Sequence, residues 1–171
     1  EKMAKIDTLV FDKTGTITEN KMSLAQVFSL KSQRIVKPSE ANSDEQHLLE
    51  IAMWASEPIP FDPMEIALHQ AYDNLKMQDE RPNFKMIHEY PLDGKPPMMT
   101  HVFENESGRR IIASKGAPEA IMQVSNLSNE ETQQIEAAVK TITSEGYRVL
   151  GVGACNFATT NFPETQQELQ F

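Results

Sequence analysis

The residue of this sequence with the most specific chemistry is Asp12, which follows an apolar run at residues 6–11 and begins the polar segment Asp-Lys-Thr-Gly-Thr. A continuous apolar run predicts a strand buried on both faces, the usual state in a parallel sheet, and open α/β sheets hold ligands at the carboxyl ends of such strands. A carboxylate placed there can accept a phosphoryl group, because a neighbouring cation and backbone amides absorb the developing charge. We therefore predict Asp12 as a phosphorylated nucleophile, with Lys13 and Thr14 as catalytic residues beside it.

Thr14, two positions after this aspartate, separates two kinds of phosphoryl chemistry. Hydrolases of the haloacid-dehalogenase class place a second aspartate there, which serves as general acid and base and speeds breakdown of the acyl phosphate. A threonine cannot serve as such a base near neutral pH. The expected phosphoaspartate is therefore longer-lived, which suits energy coupling better than simple phosphatase activity.

Residues 11–18, Phe-Asp-Lys-Thr-Gly-Thr-Ile-Thr, resemble the signature of P-type ATPases, the cation pumps that phosphorylate themselves on this aspartate. The resemblance implies ATP and Mg²⁺ as cofactors, with Asp12 and Thr14 as magnesium ligands in the intact protein, Thr14 through its backbone. It also implies ATP and the rest of the pump as partners, namely the phosphorylation, actuator and transmembrane domains. The sequence has no His-Pro pair of the kind found in the heavy-metal branch, which favours the branch that resembles calcium pumps.

Residues 114–119, Ser-Lys-Gly-Ala-Pro-Glu, are similar to the lysine motif of the nucleotide-binding domain in this family. The resemblance implies that Lys115 and Gly116 bind nucleotide. Pro118 also suits a first helical turn, so the sequence places Lys115 on the approach to a positive helix end, which favours phosphate or adenine nucleotide.

Two more segments resemble motifs of the same domain. Residues 62–68 are similar to its acidic motif, in which the glutamate, here Glu65, hydrogen-bonds toward the adenine; Glu65 could instead act as the capping-box partner of Asp62. Residues 146–152 are similar to its arginine motif, which implies that Arg148 faces the nucleotide. The planar guanidinium suits that role because it can hold phosphate or ribose oxygens and can also stack.

The segment expected to stack on adenine departs from the family pattern, in which an aromatic ring precedes a lysine by five residues. When the alignment is anchored on Met99, Leu92 takes the place of the ring and Pro97 that of the lysine. When it is anchored on Lys95, Tyr90 takes the place of the ring with the spacing intact. The sequence does not decide between these registers, so Tyr90, Leu92 and Lys95 are all candidate nucleotide-binding residues.

The elements that position these residues follow from capping and periodicity. Capping-box spacing predicts three helix starts, at Ser43 with Gln46, Asp62 with Glu65 and Ser128 with Glu131. Alternating or apolar runs predict strands near residues 22–30, 84–90, 99–104, 109–114 and 148–154. Because helices and strands do not alternate strictly, we predict an α+β fold. By resemblance it is an antiparallel β-sheet flanked by helix pairs, as in the P-type ATPase N-domain, with one N-terminal strand that belongs to a haloacid-dehalogenase-like phosphorylation domain.

The resemblance also divides the chain. We expect residues 1–19 to be a stub of the phosphorylation domain, 20–168 the nucleotide-binding domain and 169–171 the start of the return to the phosphorylation domain. In the family, the second lysine and the aspartate pair needed for phosphoryl transfer come further downstream, so we expect this chain alone to bind ATP without hydrolysing it. We also expect it to be monomeric.

Composition limits the partners and the location. The formal net charge of −9 disfavours contact with nucleic acid, because the surface repels polyanions. No apolar run approaches the roughly 20 residues of a bilayer span. The resemblance implies that the chain lies on the cytosolic side of an integral membrane protein, such as one of the plasma membrane. The one cysteine, Cys155, is predicted to be a buried thiol, and the four histidines have no metal-ligand spacing with it, so no zinc site is expected.

Two alternatives remain open from the sequence. A haloacid-dehalogenase phosphatase with a large cap domain would share the Asp12 loop, although Thr14 and the motif at Lys115 argue against it. A non-catalytic nucleotide-sensing module would share the ATP site without needing Asp12.

Overall fold

The computed structural model of the chain describes residues 6–11, 21–75, 78–157, 159 and 161–171. One seven-stranded sheet forms the centre. Its strands are β1 (Ile6–Phe11), β2 (Leu24–Ser29), β3 (Arg34–Val36), β4 (Phe84–Asp93), β5 (Met98–Asn105), β6 (Arg110–Gly116) and β7 (Arg148–Cys155). They lie in the order β3-β2-β1-β7-β6-β5-β4, and every neighbouring pair is antiparallel. The prediction of an antiparallel α+β fold is confirmed.

A helix pair covers each face of the sheet. The helices are α1 (Ser43–Trp54), α2 (Pro63–Asp73), α3 (Pro118–Gln123) and α4 (Asn129–Ser144). The pair α1 and α2 packs on one face, and α3 and α4 pack on the other. Side chains alternate between the faces, so Val102 and Ile112 face α3 and α4, whereas Phe103 and Ala113 face α1 and α2. Among the described residues, no helix is long and apolar enough to cross a bilayer.

The prediction that β1 lies in a parallel sheet is wrong. The strand is present at residues 6–11, but it pairs antiparallel with both β2 and β7 instead of lying in a parallel sheet. An apolar run does not by itself distinguish a parallel from an antiparallel strand, because both kinds occur at the centre of a sheet. The assignment of this strand to a separate phosphorylation domain, and the boundaries after residues 19 and 168, stay predictions. Leu169 and Phe171 are buried in the core beneath α3 and α4.

The capping predictions are partly wrong in register. The capping box of α4 is formed by Ser128 and Glu131, as predicted. In α1 the box is one residue earlier, because the side chain of Asn42 accepts from the helix amides and Glu45 bonds back to the Asn42 amide at 2.8 Å. Ser43 lies inside the first turn instead. Overlapping capping patterns one residue apart cannot be separated from sequence alone.

Candidate functional site

A buried ion pair lies between the sheet and α2. Lys115 is on β6 and points toward the α1–α2 face, where its ammonium contacts Oε1 of Glu65 in the first turn of α2. Each of the two residues is only 7% exposed. These are two of the residues predicted to bind nucleotide, and the fold brings them into direct contact although they are 50 positions apart.

The surroundings of this pair leave one polar atom without a partner. Lys115 Nζ also donates to the hydroxyl of Ser56 at 3.3 Å, and the amide of Glu57 donates to Glu65 Oε1 at 3.3 Å. The second carboxylate oxygen, Glu65 Oε2, is buried and has no hydrogen-bond partner. A buried carboxylate oxygen that accepts nothing is costly, so the arrangement suits a donor supplied from outside the chain.

Burial lowers the pKa of the Lys115 ammonium, and the neighbouring Glu65 carboxylate opposes that effect by bonding to it. Desolvation is the larger cause because the ammonium lies among apolar core residues. The carboxylate therefore favours the charged form of Lys115 in this position.

A second polar group packs behind the pair. Burial and the nearby Arg81 guanidinium lower the pKa of His69, so its ring is neutral. Its Nδ1 accepts from Arg81 at 3.1 Å, and its Nε2–H therefore donates to the carbonyl of Glu57 at 3.1 Å. This bond ties the segment after α1 to α2.

Two predicted local roles differ in the structure. Asp62 caps α2 by accepting from the Met64 amide at 2.8 Å, but Glu65 does not complete a capping box, because its carboxylate is held by Lys115. Lys115 itself is enclosed in this pair and does not lie free beside the start of α3. The competing capping role of Glu65 is thus wrong.

Tyr90 does not belong to this constellation. It pairs with Thr100 across β4 and β5, faces the α3–α4 core, is 6% exposed, and donates its hydroxyl to the carbonyl of Pro163 at 2.7 Å. Its ring therefore lies on the other side of the sheet from Lys115 and cannot stack on a ligand bound there. This geometry disfavours the register that places Tyr90 at the adenine, which stays a prediction.

The other candidate residues of this segment are exposed. Leu92 is 65% exposed near the end of β4, and Lys95 is exposed in the turn between β4 and β5. Both are available to a ligand, and no contact joins either of them to Lys115 or Glu65.

Gly116 and Arg148 occupy different places on the sheet. A side chain on Gly116 would collide with the backbone of Pro97 and Met98, at 2.5 and 2.7 Å, so glycine is required there for the approach of β5. Arg148 is exposed at the start of β7. It lies four residues before Val152, the pairing partner of Lys115, and therefore on the same face as that lysine.

The predicted catalytic and magnesium residues Asp12, Lys13 and Thr14 lie outside the described residues. Phe11, the last residue of β1, pairs with Arg148.

Two surface depressions lie away from the buried pair. One, of about 510 Å³, lies between β2 and the end of α2, and another, of about 550 Å³, lies beside the turn between β5 and β6. Neither is lined by a predicted site residue, and neither gathers the convergent polar groups that mark a ligand site.

Sequence reasoning missed Ser56, Glu57 and His101, which border the pair. His101 is fully buried, and its Nδ1–H donates to the carbonyl of Ser56 at 3.1 Å. The hydrophobic end of α1 precedes Ser56, so its polar role could be found only from the packing of α1 on β5 and β6.

The fold and the site together define an α+β domain with a buried lysine–glutamate pair in which one carboxylate oxygen has no hydrogen-bond partner. The family model for the P-type ATPase cytoplasmic domain N matches residues 59–170. The chain therefore belongs to this family, as the sequence resemblance predicts.

Individual relatives agree with this membership. The chain is 27% identical to a calcium-transporting ATPase of Bacillus subtilis over 195 residues, covering 91% of the chain and 22% of the relative. It is 28% identical to plasma membrane ATPase 2 of Saccharomyces cerevisiae over 158 residues, covering 89% of the chain and 16% of the relative. The chain thus spans about a fifth of the length of the curated relatives it matches.

Proposed function

We propose that this chain is the ATP-binding cytoplasmic part of a cation-transporting P-type ATPase and that it holds adenine at the Glu65–Lys115 pair. Family membership supports the general role and favours it over the phosphatase alternative. The observation that carries the site is the buried Glu65 Oε2, which has no hydrogen-bond partner although it lies beside a buried ammonium.

The exocyclic amine of adenine is a donor of the kind that Glu65 Oε2 lacks. Lys115 contacts the other carboxylate oxygen, so Oε2 is the oxygen that can accept a hydrogen bond from the base. A charge-assisted hydrogen bond to the amine then contributes about 1.5–3 kcal/mol to binding. Lys115 thus positions the group that recognises the base.

Because the Glu65–Lys115 pair is enclosed, adenine can reach it only if part of the surrounding structure moves. Residues 57–62 connect α1 to α2 and bond to Glu65 through the Glu57 amide. Ile59 and Phe61 in this segment are 86% and 82% exposed, so few apolar contacts hold it down. We propose that this segment moves aside when adenine binds.

The phosphates extend toward Arg148 in this proposal. Arg148 is four residues from Val152 along β7, which is about 13 Å at the usual rise of a strand. That separation from the row of Lys115 is comparable with the extended length of a nucleoside triphosphate, and an exposed guanidinium is a good phosphate ligand. Leu92 and Lys95 complete the proposed nucleotide site from the neighbouring edge of the sheet, and Gly116 shapes the strand next to Lys115.

In the intact protein, we propose that Asp12 accepts the γ-phosphate as a phosphoaspartate, with Lys13 and Thr14 beside it. Mg²⁺, held there by Asp12 and the Thr14 backbone, would neutralise the phosphate oxygens. The formation of this phosphoaspartate would drive cation transport by transmembrane segments of the same protein, with the described domain on the cytosolic side of the membrane. The resemblance to calcium pumps makes calcium the proposed cation.

The proposal is tested by base discrimination. Inosine triphosphate has a carbonyl where ATP has the exocyclic amine, so calorimetric titration should show tighter binding of ATP, by about tenfold or more. Glu65→Gln replaces the carboxylate with an amide that can donate to the inosine carbonyl. It should weaken ATP binding by about tenfold and reduce or reverse the preference for ATP over inosine triphosphate.

The matched control is Glu131→Gln, which changes a glutamate at the same third position of α4 on the other face of the sheet. It should leave both affinities unchanged. Equal binding of the two nucleotides, or a preference that survives in Glu65→Gln, would show that Glu65 does not contact the base.

A further inference from the structure

We propose that His101, Glu57 and Glu89 form a binding site for a divalent transition-metal ion of the zinc class, beside the nucleotide site but chemically separate from it. Each of the three residues offers one potential ligand atom, and these three atoms lie within 4.8 Å of one another. The proposal does not depend on ATP binding.

The hydrogen bond of His101 assigns different roles to its two ring nitrogens. The Ser56 carbonyl can only accept, so the Nδ1–H of His101 donates to it at 3.1 Å and Nε2 is the ring nitrogen that can coordinate an ion. That nitrogen is buried, with the side chain fully enclosed, and it has no hydrogen-bond partner. A metal-binding histidine characteristically donates its other ring N–H to a carbonyl, which fixes the ring as observed here.

The fold brings the two carboxylates close to this nitrogen. Glu89 on β4 pairs directly with His101 on β5, so the two side chains share one face of the sheet. Glu57 follows the end of α1 and brings Oε1 to 3.8 Å from His101 Nε2. This gap is too long for a hydrogen bond but is close to the spacing of about 3.3 Å between two ligands of a tetrahedral zinc ion.

The ligand chemistry indicates the kind of ion. One imidazole nitrogen and two carboxylate oxygens suit zinc and similar first-row divalent ions, whereas Mg²⁺ prefers oxygen ligands alone. Glu57 is partly exposed and Glu89 exposed, so an ion can arrive from solvent and keep a water molecule as its fourth ligand. Sequence spacing does not reveal this set of ligands, because the three residues lie on three separate segments of the chain.

Titration of the 171-residue chain with Zn²⁺ tests the proposal. Calorimetry should show one site, and nitrogen NMR of the imidazoles should show the largest change at Nε2 of His101. Glu89→Gln removes an exposed ligand without disturbing the core and should weaken Zn²⁺ binding by about tenfold or more. A titration with Mg²⁺ should leave the His101 signals unchanged.

The matched control is Glu50→Gln, which alters the exposed pair of Glu50 with His47 on α1 and should leave the affinity for Zn²⁺ unchanged. The proposal is overturned if Zn²⁺ does not bind, if Glu89→Gln binds it as tightly as the unmodified chain, or if the His101 signals do not respond.

Discussion

The two faces of the sheet differ in whether their buried polar side chains all have hydrogen-bond partners. On the α3–α4 face, Thr100, Ser114 and Gln166 form a closed network in which Thr100 donates to Gln166 at 2.9 Å and Gln166 donates to the Met98 carbonyl at 3.0 Å. Within the described part of the chain, no buried side-chain nitrogen or oxygen on that face lacks a partner.

The α1–α2 face holds all three of the buried side-chain atoms found without a partner among the described residues. They are Nε1 of Trp54, Oε2 of Glu65 and Nε2 of His101. Two of these belong to titratable groups in the proposed ATP and zinc sites. Unsatisfied polar atoms lower stability, so their concentration on one face indicates that this face is arranged for ligands and the other for folding.

The largest expected effect comes from breaking the ion pair on the ligand face. Lys115→Met leaves the buried Glu65 carboxylate without its cation and should lower the free energy of unfolding by about 3–5 kcal/mol. Replacing both partners, with Lys115→Met and Glu65→Leu together, should recover most of that loss, because the pair is replaced by apolar side chains. ATP binding should be lost in both variants.

Urea denaturation followed by the fluorescence of Trp54, the one tryptophan, measures this effect. The control is Lys31→Met, which removes a lysine from an exposed pair with Asp44 and should change stability by less than about 1 kcal/mol. If the double variant is as unstable as Lys115→Met, the pair serves folding and the contrast between the faces fails.

An intermediate effect is expected on the opposite face. Gln166→Leu removes the acceptor of Thr100 and the side-chain donor to the Met98 carbonyl. It should lower the free energy of unfolding by about 1–3 kcal/mol while the affinity for ATP stays the same. Denaturation and calorimetry on one preparation separate the two quantities, with Gln134→Leu on the surface of α4 as control. A loss of ATP affinity would mean that this network also supports the ligand face.

The same contrast between the two faces shows which features of the protein can be predicted from its sequence. The α3–α4 face follows from local signals: the Ser128–Glu131 capping box is found, and apolar alternation predicts β5, β6 and β7 within a few residues. The predicted Lys115 and Glu65 come together, but only three-dimensional packing shows that they meet each other.

The remaining features depend on long-range geometry. The sequence left Glu65 two possible roles, as the adenine ligand or as the capping partner of Asp62, and the capping role is excluded only where α2 packs against β6 and Lys115 contacts the carboxylate. The metal-ligand set is invisible in the sequence because strand pairing aligns Glu89 with His101 and the end of α1 brings Glu57 between them. Spacing rules detect ligands within one segment, and these come from three.

The smallest expected effect concerns the residue that stacks on adenine, for which Tyr90 and Leu92 are the two alternative candidates. Leu92 is exposed, so Leu92→Tyr should add an aromatic surface for adenine and tighten ATP binding by about two- to tenfold, as 0.5–1.5 kcal/mol implies. Tyr90→Phe removes the hydroxyl that donates to Pro163 and should cost about 1 kcal/mol of stability without changing ATP affinity.

Calorimetric titration of both variants with ATP and with inosine triphosphate decides which residue contacts the base. Stacking is insensitive to the exocyclic group, so Leu92→Tyr should tighten binding of both nucleotides and leave the discrimination by Glu65 intact. If Tyr90→Phe weakens ATP binding instead, the Tyr90 hydroxyl contributes to the nucleotide site, and the division between a ligand face and a folding face would not hold at the edge formed by β4.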